Sequence, residues 1–123
     1  MTAIGLVLDC ADPEVLAEFW AAALGYMRLG AAGQYVLLLP AEPGAPKLLL
    51  QQVPESKVVK NRMHLDIETP DIDAEAARLE ALGARRLAGD VHAEHGTRWH
   101  LMADPERNEF CVCDGGASAT LLG

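Results

Sequence analysis

The chain is predicted to be an α+β protein built from two tandem βαβββ modules. Three observations carry this: two helix-forming segments with matching start and stop signals, strand-like segments ahead of and behind each, and an offset of roughly 60 residues that superimposes the two sets. Setting Leu24-Gly25 over Leu82-Gly83 brings Leu8-Asp9 close to Ile67-Glu68, Gly33 near Gly96, and Glu42-Pro43 near Asp104-Pro105. The pattern is that of a diverged duplication.

The first strand is expected at Ile4–Cys10. Asp12-Pro13-Glu14 then combines an N-cap, a proline suited to the first helical position and an acidic first turn. Leu16, Phe19, Trp20, Ala23 and Leu24 share one helical face, and Gly25 can adopt the left-handed conformation that ends a helix, so a helix is expected over 13–24. Strands follow at Tyr26–Leu29, Gln34–Leu39 and Lys47–Val53, separated by turn-rich joints at 30–33 and 41–46. After a linking segment over 54–61, Met63–Thr69 forms the next strand. Pro70 or Asp71 opens a helix over 72–82, with Ile72, Ala76, Leu79 and Leu82 on one face and Gly83 at its end. Strands at Arg85–Ala88, Thr97–Met102 and Glu109–Asp114 complete the second module, the last two joined by a turn over 104–108, and residues 115–123 read as a loose tail or short apolar arm. One domain over 1–123 results: module one 4–53, linker 54–61, module two 62–114, tail 115–123.

Composition agrees with a single core. The chain has 123 residues, half of them apolar, which is ample for one domain and short for two. Ten basic residues against eighteen acidic ones give a net charge of −8, so nucleic acid and anionic membranes are expected to be repelled, and Arg85-Arg86 is the sole adjacent basic pair. No apolar run approaches the roughly 18 residues of a membrane span, and the N-terminal residues lack the basic flank and cleavage site of a secretory signal. Three cysteines, Cys10, Cys111 and Cys113, are odd in number and sit in strand-like segments, which points to reduced thiols and a cytoplasmic location.

The tandem βαβββ order, the openings at Asp12-Pro13 and Pro70-Asp71, and the run Asp104-Pro105-Glu106-Arg107-Asn108-Glu109-Phe110 together resemble the vicinal-oxygen-chelate superfamily. That group includes glyoxalase I, the extradiol dioxygenases and the bleomycin-resistance proteins, and the resemblance spans roughly residues 4–114. It implies the glyoxalase/bleomycin-resistance/dioxygenase fold, in which each module curls its strands into half of a cupped mixed sheet, helices lie outside and one cavity is enclosed. Strand parity then directs Leu6, Leu8, Cys10, Leu65, Ile67, Phe110 and Val112 toward the helices. Gly5, Val7, Asp9, His64, Asp66, Glu68, Glu109, Cys111 and Cys113 are directed toward the cavity. Arg107 stands where relatives commonly have glycine.

The resemblance also implies where a metal would sit. Metal-dependent members draw one ligand from the start of each module and one from each module's last strand, positions that fall here at Gly5, His64, near Leu49 and at Cys111. Only His64 keeps the expected ligand type, and glycine and leucine offer no donor. No metal is therefore expected, the alternative being a divalent ion in a site rebuilt from His64, Cys111 and Glu109, with Gln51 in reach. His92, His95 and His100 read as solvated histidines in or beside a loop, His95 near the cavity mouth.

Asp9, Asp66 and Glu68 are inward acids that serve either proton transfer and ligand contact or bracing of the loops that follow them. Cys111 and Cys113 read as lining, with His64 the one base suited to activate Cys111. Tyr35 and Trp99 occupy similar places in their modules and wall a ligand pocket or fill the core. The favoured function is metal-independent binding of a small, partly apolar molecule between the modules. The alternative is a lyase, isomerase or dioxygenase-type enzyme using His64 as catalytic residue with Glu109 or Asp66, or with the rebuilt metal site. A pure interaction module is a third reading. A homodimer is expected under each, because relatives often pair two chains.

Overall fold

A computed structural model of the chain describes residues 3–87, 89 and 91–114. The expected tail over 115–123 and the end of the expected strand at Ala88 lie outside these residues. The chain divides into two compact units, Met1–Val58 and Val59–Gly123.

In the first unit the elements are β1 (Leu6–Cys10), α1 (Pro13–Leu24), β2 (Met27–Ala32), β3 (Tyr35–Leu39) and β4 (Leu48–Gln52). Local chemistry sets the helix ends. Asp12 accepts a hydrogen bond from the Val15 amide at 3.2 Å, Pro13 follows at the first helical position, and Gly25 closes the helix at φ 69°. The strand order is β1-β4-β3-β2, with β1 parallel to β4 and the other pairs antiparallel. α1 packs on β3 and β4, burying Leu16, Phe19, Trp20 and Ala23 with Val36, Leu38, Leu48 and Leu50. Phe19 and Trp20 meet edge to face with centroids 5.0 Å apart. Each large side chain removed from water in this way contributes about 1.5–3 kcal/mol.

The second unit repeats the plan with β5 (Asp66–Glu68), α2 (Ile72–Leu82), β6 (Arg85–Arg86), β7 (His92–Glu94), β8 (Thr97–Ala103) and β9 (Glu109–Cys113). Asp71 caps α2 through the Ala74 amide at 3.0 Å. The order is β5-β9-β8-β6, with β5 parallel to β9, as β1 is to β4. Ile72, Ala76 and Leu79 of α2 are buried with Met102, Phe110 and Val112. The β8–β9 turn is organised by buried Asp104, whose Oδ1 accepts from the amides of Glu106 and Asn108, both at 2.9 Å, while its carboxylate also receives the Asn108 side-chain amide. Arg107 takes φ 70° there, a left-handed conformation that only glycine reaches without steric cost.

One strand was not expected. β7 occupies residues read as a loop and pairs antiparallel with β8, with His92 opposite Trp99. His95 at φ 51° and Gly96 at φ 78° form the tight turn between them, both left-handed as a two-residue hairpin of this twist requires. β6 and β7 line the same strand, β8, so they amount to one interrupted strand. Strand parity follows the sequence pattern: Val7 and Asp9 are exposed between the more buried Leu6, Leu8 and Cys10, and Phe110 and Val112 are buried. Among the described residues, no helix is long and apolar enough to cross a membrane.

Candidate functional site

In each unit the helix covers one face of the sheet, and the candidate residues occupy the other. β5 and β9 run parallel with Asp66 opposite Cys111, Ile67 opposite Val112 and Glu68 opposite Cys113. Because side chains alternate along a strand, Asp66, Glu68, Glu109, Cys111 and Cys113 share a face, and the β8–β9 register adds Trp99 and Leu101 to it. Ile67, His100, Met102, Phe110 and Val112 lie on the helix side.

His64 precedes β5 by two residues and keeps the same parity as Asp66. Its segment is tied to β9 by the Cys111 amide, which donates to the Leu65 carbonyl at 2.9 Å. The His64 Nε2 lies 3.2 Å from Asp66 Oδ1. One donor atom from each of His64, Asp66 and Cys111 falls within 4.8 Å of the others. No other group of three or more histidine, cysteine or acidic side chains converges in this way among the described residues. His64 and Asp66 are accessible, with side chains 39% and 57% exposed, whereas Cys111 is half-buried. Burial, and secondarily the negative charge of Asp66, push the Cys111 thiol up to about 11. It is thus a neutral thiol near pH 7 and a poor nucleophile unless a cation sits beside it.

Glu109 shares the face but does not belong to the cluster. Its Oε1 accepts from the Asn61 backbone amide at 3.1 Å, holding the segment that leads into β5. The donor atoms that converge are thus those of His64, Asp66 and Cys111, Asp66 being the register neighbour of Cys111, while Glu109 of the expected set lies on the same face and holds Asn61. The H-x-D spacing of His64 and Asp66 on one strand face was the signal available in the sequence.

Trp99 stacks on His92 with centroids 5.4 Å apart and planes 14° from parallel. The buried Nε2 of His92 has no hydrogen-bond partner. Asp9 and Tyr35 belong to the first unit, where both are register partners of Gln51, Asp9 exposed and Tyr35 half-buried. Val7, Leu37 and Leu49 share that uncovered face.

The reading of three solvated loop histidines holds only for His95, which sits exposed in the β7–β8 turn, 3.2 Å from Glu94. His92 lies in β7, and His100 is buried on the helix side of β8 with Nε2 2.8 Å from Asp73 Oδ1 in the first turn of α2. That hydrogen bond is the main reason the Asp73 carboxyl lies below its ordinary range. The parity His100 shares with Met102 foreshadows its burial.

Residues 5–113 match the family described as Glyoxalase-like domain. No curated protein matches the chain. Among solved structures, a mutant fosfomycin resistance protein FosX from Listeria monocytogenes, complexed with Mn(II) and 1S,2S-dihydroxypropylphosphonic acid, superimposes at TM-score 0.77 with 15% identity over 98% of this chain and 96% of that one. FosX from Mesorhizobium loti gives 0.72 with 16% identity over 98% and 97%. A glyoxalase/bleomycin resistance protein/dioxygenase family enzyme from Burkholderia phytofirmans gives 0.70 with 16% identity over 88% and 94%. These likenesses show a shared fold, and the family match extends over nearly the whole chain. The chain therefore belongs to the glyoxalase-like domain family and shares the fold of the glyoxalase/bleomycin resistance/dioxygenase proteins.

Proposed function

We propose that the protein binds a small, partly apolar molecule on its uncovered sheet faces, without a manganese-type metal shared by both modules. The observation that carries this reading is the chemistry of those faces. Val7, Tyr35, Leu37 and Leu49 offer apolar contact in the first unit, while His64, Asp66 and Trp99 offer hydrogen bonding and a flat aromatic surface in the second.

The donor set argues against a metal like that of the metal-dependent relatives. Gly5 and Leu49 supply no ligand, and the aliphatic chain of Lys47 lies beside the Gly5 Cα. Manganese also favours oxygen donors over a thiolate.

The test is a thermal-shift screen of aromatic metabolites and antibiotics against chelator-treated protein. A saturable rise in Tm is expected, weakened about tenfold in affinity by Trp99→Ala, which corresponds to about 1.4 kcal/mol. A screen without any saturable shift overturns the reading.

The His64–Asp66 contact favours a second reading, a lyase or isomerase. A carboxylate 3.2 Å from an accessible imidazole orients it for proton transfer, Asp66 being one of the two acids expected to partner His64. Turnover of a bound ligand that disappears in His64→Ala distinguishes this enzyme from a binding protein. We further infer a cytoplasmic homodimer. The reduced thiols of Cys10, Cys111 and Cys113 suit a reducing compartment, and the exposed Met27 and Leu29 on edge strand β2 offer a pairing surface that sedimentation measures directly.

A further inference from the structure

We infer that His64, Asp66 and Cys111 form a thiophilic divalent-metal site of zinc type, built from the second unit alone. The inference rests on the reading of this sheet face as the binding site, and adds the class of ion it takes.

The cluster contains one imidazole nitrogen, one carboxylate oxygen and one sulfur, and all three donor atoms lie within 4.8 Å of one another. Around a tetrahedral ion with bonds of about 2.0–2.3 Å, ligand atoms stand about 3.3–3.8 Å apart. The His64–Asp66 pair is already at 3.2 Å. The remaining contraction is at most about 1.5 Å, within the rotamer freedom of two accessible side chains. Cys111 is the fixed point, since its strand is paired on both sides, with β5 and with β8.

Donor type decides the selectivity. Zinc and cobalt accept nitrogen and sulfur readily, whereas magnesium, calcium and manganese favour oxygen-rich shells. Three protein donors leave a fourth position for water or for a donor atom of the bound molecule, the count found in reactive rather than structural zinc sites. Glu68 and Glu109 on the same face, and the net charge of −8, favour a cation there.

The experiment titrates cobalt(II) into the full, tag-free chain after chelator treatment, with no organic ligand present. The expected result is one cobalt per chain, a near-ultraviolet thiolate-to-cobalt charge-transfer band, and displacement by stoichiometric zinc but not by excess manganese. Cys111→Ser and His64→Gln should each weaken zinc binding by more than about 100-fold, beyond the loss typical of a supporting residue. His95→Asn, at the exposed turn pair His95–Glu94, should leave binding unchanged and so excludes adventitious capture there.

Failure to retain cobalt, retention without the charge-transfer band, or a band that survives Cys111→Ser overturns the site. If the variants do not fold, the wild-type spectrum and the zinc–manganese competition decide alone. The small-molecule screen uses metal-free protein, so absent cobalt with a retained ligand shift sinks only the metal site, and cobalt binding without any ligand shift sinks only the binding reading.

Discussion

Replacing Asp104 tests how the fold holds Cys111 in place. The Asp104 carboxylate, 2% exposed, accepts from the amides of Glu106 and Asn108 and from the Asn108 side chain, all at 2.9–3.1 Å. The turn sets the β8–β9 register, Ala103 opposite Glu109 and Leu101 opposite Cys111. In Asp104→Ala the two Asn108 donors are left buried without this acceptor, while the Glu106 amide can reach water. At about 1–3 kcal/mol for each buried donor stranded, the cost is about 2–5 kcal/mol, reduced somewhat because a buried charge is also removed. Asp104→Asn keeps one acceptor oxygen and should cost about half as much. Urea unfolding followed by circular dichroism measures both, with an unchanged m value as the sign of an unaltered folded core. A loss under about 0.5 kcal/mol for Asp104→Ala, the scale of an ordinary surface change, would refute the claim that this carboxylate organises the turn.

Three further outcomes follow from other parts of the chain. Arg107→Gly relieves a left-handed residue at φ 70° and should raise stability by about 0.5–1 kcal/mol, read in the same urea titration; a lower midpoint would show that the arginine side chain outweighs its backbone strain. The native Asp73 carboxyl lies below 3.8, chiefly through its hydrogen bond to His100, so this pair contributes stability above that pH and loses it as the pH falls through the lower native value. The Tm difference between wild type and His100→Ala should therefore shrink on acidification below about pH 4, the ordinary carboxylate range, and a difference that widens there contradicts the pairing. Finally, with Cys111 pushed up to about 11, its alkylation by iodoacetamide should be slow at pH 7 and rise about tenfold per pH unit as the thiolate fraction grows. Fast labelling at neutral pH in metal-free protein, located by mass spectrometry, would contradict a neutral thiol.

The helices were legible to the residue, Pro13–Leu24 and Ile72–Leu82, because their ends are written in adjacent side chains: Asp12 and Asp71 bond to amides three residues on, and Gly25 and Gly83 adopt positive φ. Alternation along Leu6–Cys10 and Glu109–Cys113 likewise revealed which residues face away from the helices, since that period belongs to the strand itself. β7 was hidden because its three residues carry no alternating pattern, and it is a strand only by virtue of pairing with β8. Parity with Met102 points His100 toward the helix, but its pairing with Asp73 depends on α2 lying over β8 with Asp73 at the right turn.

The sequence by itself thus determined the duplicated strand and helix order and a short set of polar residues on one face of each sheet, which follow from local periodicity and capping, while the resemblance of its motifs implied the family. Tertiary structure alone decided that Asp66, rather than Glu109, stands with His64 and Cys111. Asp66 and Cys111 are far apart in the chain and meet through the parallel β5–β9 register, and a slip of one residue would set Val112 in place of Cys111. Register is fixed by burying Phe110 and Val112 under α2, with half-buried Ile67 opposite Val112, a collective packing outcome that no short stretch of sequence contains.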